Sequence, residues 1–387
     1  MKKFFLLAAL AGVALVGCTK NEPAVNEEQQ LITFASPVVS LNTKSATEVW
    51  NNYPTAEKYN FAVWAKYFVD GSYENDDYKT GTYETWDAGQ TYMNEVVVKY
   101  GNNTWAPAQN YYWPKNGSLT FIAYAPTDIQ AKTDVNGNGI QITGHTVATT
   151  PKDQLDILFS ERAYNKQGVD DDTVAEGTTG SQPGNANDPY TGVHLSFKHA
   201  LSSILFNIRT DIDYTTVGTT ITLKKIEVHQ AVSTGSFNQN LVDDNGATTT
   251  DEGATAPAWT FDATPVRADY VVDIDNTADI KLSTTAYYPA GITNATAATN
   301  GLRATDLILL PQELDDVTLR VEYTIKNSGA GSEELYQIAE LPLGTTAVAA
   351  WEMGKRYIYN ITIGLDTIYF EPYVQDWVDV NMGNLTI

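Results

Sequence analysis

Residues 317–325, VTLRVEYTI, carry the pattern that decides the fold class. Apolar side chains occupy every odd-numbered position of this stretch, and polar side chains occupy every even-numbered one. Successive side chains of a β-strand point to opposite faces of the sheet, so this alternation predicts a strand with one buried face. Residues 357–365, YIYNITIGL, repeat the pattern, with Tyr357, Tyr359, Ile361, Ile363 and Leu365 on one face.

Short strand-like segments recur along the rest of the chain. In the second half they are residues 193–210, 219–228, 271–275, 307–310 and 335–341. In the first half, residues 119–125 are apolar on both faces, which indicates a buried central strand. No segment combines helix caps with a sustained 3.6-residue period. The sequence therefore predicts an all-β protein made of antiparallel β-sandwiches.

The length of the chain predicts two domains after an N-terminal leader. About 370 residues follow the leader, and domains commonly have roughly 100–200 residues. Residues 164–191 are rich in Gly, Asp, Asn and Thr, and a loop of this length marks a domain boundary or a long surface excursion. We expect four parts: a signal (1–17), a leading segment (18–44), an N-terminal sandwich (45–180) and a C-terminal sandwich (181–387).

The charge and the histidine content bear on the function class. A net charge of −23 argues against nucleic acid and anionic membrane surfaces as partners, because both are bound through basic patches. The sequence has only four histidines, which is few for a histidine-based catalytic or zinc site: His145, His194, His199 and His229. We expect His199 to be a packed, hydrogen-bonded side chain. No pattern singles out an active site, so we expect no enzyme, no cofactor and no metal.

Residues 1–18, MKKFFLLAALAGVALVGC, have the features of a bacterial lipoprotein signal. Two lysines precede an apolar run that is shorter than the roughly 20 residues needed to span a bilayer. The last four residues resemble the lipobox, whose cysteine, here Cys18, carries fatty acids such as palmitate and becomes the first residue after the cut between Gly17 and Cys18. Cys18 is the only cysteine of the sequence, so we expect the lipid there. The alternative is an ordinary signal with an incidental cysteine.

The residues after Cys18 predict a tether followed by a strand. Residues 19–30 are polar without periodicity, which is typical of a flexible linker. In residues 31–41, Ile32 and Phe34 alternate with Thr33 and Ala35, and Pro37 restricts the strand to a sheet edge or ends it.

Residues 134–139, DVNGNG, begin like a calcium-binding loop. The twelfth position of such a loop needs a bidentate Glu, and here it is His145. Asn-Gly between alternating segments is also a strong hairpin signal, so we expect a hairpin and keep a calcium site as the alternative.

Four tryptophans of the first half, Trp64, Trp86, Trp105 and Trp113, lie beside apolar segments. This placement favours packing in the core, because aromatic side chains bury large apolar areas. The alternative is a set of platforms on which sugar rings stack.

Six stretches together resemble the fimbrillin family, the pilin-like subunits of type V pili of Bacteroidales. The first is the lipobox with its polar tether. The others are YYWP at 111–114 leading into 119–126, LSFKHAL at 195–201, LLPQ at 309–312, WEMGKRY at 351–357, and Asp376-Trp377. They follow the order of the family and span essentially the whole mature chain.

The resemblance implies two transthyretin-like β-sandwich domains in tandem and export as a lipoprotein to the outer membrane. It also implies that a trypsin-like protease removes an N-terminal strand, and that a strand of another subunit fills the opened groove. The removable strand corresponds to residues 31–41. Many family members are cut after arginine, but the first arginine here is Arg162, so the expected cut falls between Lys44 and Ser45.

The last residues of the chain correspond to the donor strand of the family. Residues 374–387 contain the apolar positions expected to enter a groove, which are Val378, Val380, Met382, Leu385 and Ile387. The alternative is that this segment closes the sheet of its own second domain.

The resemblance therefore predicts a non-catalytic pilus subunit, or fimbrial subunit, that serves adhesion on the cell surface. Its expected partners are other fimbrillin subunits, the processing protease and, through the lipid, the outer membrane. A tip or anchor subunit that is not cleaved is one alternative. Another is a monomeric surface lipoprotein that binds a glycan or a host ligand and needs no exchangeable strand.

Overall fold

The computed structural model describes most of the chain from residue 31 onward. The described residues are 31–35, 38–40, 47–49, 60–69, 72–74, 82–84, 86–101, 104–129, 131–133, 139–166, 192–240, 257–272, 274, 280–285, 307–365 and 368–376. Short 3-10 helices occur at Trp86–Ala88, Pro151–Asp153 and Tyr214–Val217. No helix within these residues is long and apolar enough to cross a membrane.

The rest of the regular structure consists of strands. Those of the first half are β1 (Val38–Ser40), β2 (Thr47–Val49), β3 (Phe61–Phe68), β4 (Ser72–Glu74), β5 (Thr82–Glu84), β6 (Gln90–Gly101), β7 (Thr104–Pro107), β8 (Ser118–Ala125), β9 (Ala131–Thr133), β10 (Ile140–Thr146), β11 (Leu158–Ser160) and β12 (Ala163–Lys166). Those of the second half are β13 (Ser196–His199), β14 (Ser202–Thr210), β15 (Thr219–Val232), β16 (Thr234–Asn238), β17 (Ala258–Thr260), β18 (Arg267–Val271), β19 (Ile280–Lys281), β20 (Leu307–Leu309), β21 (Gln312–Glu313), β22 (Thr318–Asn327), β23 (Glu334–Pro342), β24 (Ala350–Trp351), β25 (Lys355–Ile363) and β26 (Ile368–Asp376).

Four sheets hold most of these strands. A nine-stranded sheet has the order β2-β1-β13-β11-β8-β3-β6-β7, with β12 also paired to β8. The order of the others is β17-β16-β10-β9, β20-β14-β25-β26 and β18-β15-β22-β23, with β19 also paired to β15. The predicted all-β fold with antiparallel sheets is confirmed. Among the described strands, three pairs run parallel instead, which are β14 with β25, β1 with β13 and β4 with β5.

The strands with the clearest patterns lie where the sequence predicts them. All eight residues of β8 are buried, as expected for an apolar central strand. In β22 and β25 the predicted apolar face points to the core, with Leu319, Val321, Tyr359 and Ile363 buried. Leu365 was also predicted on this face, but it lies beyond the end of β25 and is 48% exposed. β9 and β10 form the predicted antiparallel hairpin, although residues 134–138 between them lie outside the described part of the chain.

The nine-stranded sheet has a core on each face because side chains of β3 and β8 alternate between the faces. Phe61, Val63 and Phe121 lie in one cluster, here called the N-terminal core. Trp64 and Tyr124 lie in the other, the central core, which continues into the strands of the second half. The four tryptophans for which core packing was predicted, Trp64, Trp86, Trp105 and Trp113, are 1–9% exposed, which confirms that prediction.

The sheets do not follow the order of the chain. β13 lies beyond residue 180 but pairs with β11 in the nine-stranded sheet. β10 lies before residue 180 but pairs with β16. The side chain of Gln239 strengthens this second junction, because its Oε1 accepts from Ile140 N at 3.1 Å and its Nε2 donates to Ser160 O at 2.7 Å. The division into domains at residue 180 stays a prediction.

Candidate strand-exchange site

The first described residues, 31–35, are here called the N-terminal segment, and they lie between two stretches of backbone. On one side, Ile32 N donates to Tyr111 O at 2.8 Å and Phe34 N donates to Trp105 O at 2.9 Å. On the other side, Val193 N donates to Thr33 O at 2.8 Å and Ala35 N donates to Val193 O at 3.0 Å. The segment is therefore held like a central strand, with hydrogen bonds to both neighbours.

Two alternate side chains of the N-terminal segment enter the N-terminal core. Ile32 and Phe34 are each 2% exposed, whereas Leu31 is 41% exposed. The ring of Phe34 meets those of Phe61 and Phe121 edge-on, at centroid distances of 5.6 and 5.9 Å. Edge-to-face contacts of this kind stabilise aromatic clusters beyond the buried area alone. The two side chains thus fill a groove whose floor is largely aromatic.

Gly192 allows one wall of the groove to approach the N-terminal segment. Its φ is +106°, and a Cβ at this position would lie 2.4 Å from the carbonyl carbon of Phe34 and 2.5 Å from Ala35 N. Real Cβ atoms do not approach backbone atoms this closely, and side chains rarely adopt this φ. Glycine at this position lets Val193 reach hydrogen-bonding distance of the segment.

Tyr92 fixes the opposite wall. Its hydroxyl donates a hydrogen bond to the carbonyl of Tyr112, next to the carbonyl that Ile32 uses. Its ring also meets that of Tyr111 at 6.1 Å. Burial raises the pKa of Tyr92 above its ordinary value, which already lies well above neutral pH, and the protonated hydroxyl acts as the donor. β6 thereby holds residues 111–112 in place against the N-terminal segment.

The groove and the segment stabilise each other through apolar area and hydrogen bonds. Burying a side chain such as Ile or Phe contributes roughly 1.5–3 kcal/mol. Each backbone hydrogen bond adds about 0.5–1.5 kcal/mol. Loss of the segment would forfeit these contributions and leave an apolar groove with unpaired backbone groups on both walls.

Family and structural comparisons agree with this architecture. The sequence model of the fimbrillin-like family matches residues 73–377. The chain belongs to the fimbrillin-like family. A fimbrial protein from Bacteroides vulgatus ATCC 8482 has the same fold, with a TM-score of 0.55 at 15% identity over 89% of this chain and 100% of that chain.

A second solved structure is the C-terminally truncated tip fimbrial protein Mfa3 from Porphyromonas gingivalis. It aligns with a TM-score of 0.32 at 13% identity, over 82% of this chain and 94% of that chain. The comparison with curated proteins gives no match.

The motifs that resemble fimbrillins build the core of this fimbrillin-like chain. Gln312, from the LLPQ motif, accepts a hydrogen bond from Val232 N at 2.6 Å and donates to Leu310 O at 3.1 Å. Trp351 Nε1, from the WEMGKRY motif, donates to the hydroxyl of Tyr359 at 3.0 Å. The contact of Gln312 with Val232 joins residues 80 positions apart in the sequence, and that of Trp351 with Tyr359 joins β24 to β25. These motif residues therefore stabilise the fold.

His199, from the LSFKHAL motif, has the packed and hydrogen-bonded environment that we expected. It is 3% exposed, and its Nδ1 lies 3.0 Å from Asp156 Oδ1. Among the described residues, no group of three or more His, Cys, Asp or Glu side chains is placed to hold a metal ion.

Most of the predicted site residues lie outside the described part of the fimbrillin-like chain. They are the signal cut at Gly17 and Cys18, the processing site at Lys44 and Ser45, and the donor positions Val378, Val380, Met382, Leu385 and Ile387. Their roles stay predictions.

β26 is a nine-residue strand that sequence reasoning missed, and the shorter strands β11, β16 and β17 were not predicted either. β26 pairs with β25 along its whole length, from Ile368 opposite Ile363 to Asp376 opposite Lys355. Pro372 in its centre conceals the strand in the sequence, because proline is tolerated only at a sheet edge, which is where β26 lies. Residues 374–376 of the predicted donor segment therefore belong to a strand of their own sheet.

Proposed function

We propose that this fimbrillin-like protein is a structural pilus subunit that assembles by exchanging a strand at the N-terminal groove. The observation that carries the proposal is the seating of residues 31–35, which are hydrogen-bonded on both sides and have Ile32 and Phe34 buried. A segment near the chain start that fills a groove can be replaced, without a change of topology, by an extended strand with the same alternation.

The proposed assembly begins with export and lipidation of Cys18. A trypsin-like protease then cuts between Lys44 and Ser45, which frees the N-terminal segment from the rest of the chain. The emptied groove exposes apolar surface and unpaired backbone on two walls, and both favour the entry of another strand. The part of the predicted donor segment 374–387 that follows β26 supplies that strand to a second subunit. Its Val378, Val380 and Met382 alternate as Ile32 and Phe34 do.

The composition and the family membership support a role at the cell surface. The signal, the lipobox and the single cysteine fit an outer-membrane lipoprotein, and cleavage after Lys44 would release the subunit into an extracellular fimbrium. We propose adhesion as the biological role and other fimbrillin subunits as the main partners. No catalytic step is part of this proposal.

The decisive experiment is the identification of the N-terminal residue of surface-recovered protein by mass spectrometry. We expect Ser45 first in assembled fibres and acylated Cys18 first in unassembled precursor. Lys44→Ala should leave a lipidated monomer, whereas Lys58→Ala, the matched control at the neighbouring lysine, should assemble normally. Fibres made of subunits that still begin with Cys18 would contradict the exchange and favour an uncleaved tip or anchor subunit.

The donor role is tested separately by truncation. A chain that ends before Val378 should fold, because the described strands are complete by Asp376. It should accept a strand in its groove but fail to extend the fibre. Normal polymerisation of this truncated chain would show that the donor strand comes from elsewhere.

A further inference from the structure

β23 is a long strand with one free side. It pairs with β22 in an unbroken antiparallel register, from Thr318 opposite Pro342 to Lys326 opposite Glu334. In the part of the chain that the structure describes, no strand pairs with its other side. Leu335, Tyr336 and Ile338 are 56%, 54% and 49% exposed. The strand therefore offers backbone donors and acceptors together with large apolar side chains.

The other described edges carry the protection that natural sheets commonly use. Soluble proteins shorten their edge strands or place proline, lysine or bulges in them to prevent pairing with other chains. β2, β7, β9, β17 and β20 have three or four residues each, β26 contains Pro372 at its centre, and β18 pairs through a register shift. β23 has nine residues, no lysine or arginine, and a proline only at its last position.

The acidic side chains of β23 are already engaged within their own sheet. Glu334 accepts a hydrogen bond from Thr324, which lowers its pKa, and lies 3.5 Å from Lys224 Nζ. Glu340 lies 4.0 Å from Arg320 Nη1. The carboxylates are thus partly compensated by neighbouring groups, and the edge has no strong local charge that would repel a second strand.

We propose that β23 is an interface between two copies of this chain, which pair antiparallel about a two-fold axis at Ile338. This register places Leu335 opposite Leu341, Tyr336 opposite Glu340 and Glu334 opposite Pro342. A contact of this kind is self-complementary, as a two-fold interface requires. It joins two four-strand paths, β18-β15-β22-β23 in each copy, into one continuous sheet.

The side chains select this register over its neighbours. Centring the pair on Gln337 would set Glu334 directly opposite Glu340, and like charges in opposed positions are destabilising. Centring it on Ala339 would set Ile338 opposite Glu340 and place Leu335 opposite Leu343, which lies beyond the end of β23 and is buried in its own chain. The Ile338 axis avoids both defects. The interface uses neither the N-terminal segment nor its groove, so it is independent of the proposed strand exchange.

Disulfide trapping tests both the contact and its register. In a Cys18→Ser background the chain has no cysteine. A single introduced cysteine can then form a disulfide only with the same residue of a second copy. Opposed residues of an antiparallel pair have Cβ atoms about 4.5–5.5 Å apart, so Ile338→Cys should cross-link efficiently under mild oxidation. Leu335→Cys is the matched control. In the proposed register Leu335 lies opposite Leu341, so the two introduced cysteines are six residues apart along the strands, at ~3.4 Å per residue, and cannot cross-link.

Sedimentation of the full chain with its N-terminal segment in place gives the second readout. We expect a monomer–dimer equilibrium that shifts toward dimer with added salt, since each copy carries a net charge of −23 and salt screens the repulsion. Ile338→Lys should weaken the dimer roughly tenfold or more. Val217→Lys, at another exposed apolar position, should leave it unchanged.

Three results would overturn the proposal. One is a wild-type chain that stays monomeric at every concentration and salt level. The second is equal cross-linking of the Ile338→Cys and Leu335→Cys variants, which would indicate random collision. The third is a dimer that Ile338→Lys does not weaken, which would place the contact elsewhere.

Discussion

The N-terminal segment and β23 are both extended and apolar, yet the fold uses them in opposite ways. The segment has hydrogen-bonded neighbours on both sides, and its Phe34 is 2% exposed. β23 is paired on one side only, and its Leu335 is 56% exposed. Position in the sheet, rather than hydrophobicity, decides whether a strand fills a groove of its own chain or presents an edge to another. The predictions below test this contrast.

The largest expected effect is that of truncating the side chain at the centre of the groove. Phe34→Ala should lower the free energy of unfolding by about 3–5 kcal/mol, because it leaves a cavity between Phe61 and Phe121. Leu335→Ala, the counterpart on β23, should change it by no more than about 0.5 kcal/mol. Chemical denaturation of the uncleaved chain measures both. Equal losses would remove the distinction between the two segments.

A smaller effect is expected from a methyl group in the wall of the groove. Gly192→Ala and Gly331→Ala both force alanine into a positive φ, which costs roughly 1–3 kcal/mol. The two sites differ in the space around the new Cβ. At Gly192 it would collide with backbone atoms of Phe34 and Ala35, whereas at Gly331 no heavy atom lies within 4 Å of it. We expect Gly192→Ala to be the more destabilising variant by roughly 1–3 kcal/mol, measured by chemical denaturation.

If the two glycine variants lost equal stability, the close approach of Val193 to the N-terminal segment would be unimportant.

The smallest expected effect concerns Tyr92. Tyr92→Phe removes one hydrogen bond from the wall at Tyr112 and should lower the free energy of unfolding by about 0.5–1.5 kcal/mol. It should also speed hydrogen exchange at the amide of Ile32, which bonds to the adjacent carbonyl of Tyr111. Tyr67→Phe is the control, since its hydroxyl also donates to a backbone oxygen, that of Asn116, to which no residue of the N-terminal segment is hydrogen-bonded. Faster exchange at Ile32 in both variants would argue against a specific role for Tyr92.

The sequence predicted the elements of this fold better than their partners. Alternation identified β22 and β25 because one face of each is buried, and continuous apolarity identified β8 because both faces are. The alternation of Ile32 and Phe34 predicted a strand at the groove for the same reason. Its neighbour Val193 could not be predicted, because strand pairing over more than a hundred residues leaves no local signal.

The strands and contacts that the sequence did not predict have physical explanations as well. β26 was not predicted because Pro372 interrupts its pattern, although an edge position tolerates proline. β6 extends over twelve residues, but only Val96, Val97 and Val98 form a continuous apolar run, because most of its other residues are polar and exposed. The importance of Gly192 depends on contacts with Phe34 and Ala35 that form only in the tertiary structure.

The crossing of strands between the two halves also bears on the order in which the chain can fold. β10 gains its partner β16 only when residues 234–238 are available, and the nine-stranded sheet is complete only after residue 199. During synthesis, which starts at the N-terminus, the early strands therefore have sheet edges without partners until these later strands have been made. Late completion delays the compact state. That delay would suit the export proposed above, in which the chain crosses a membrane before it folds.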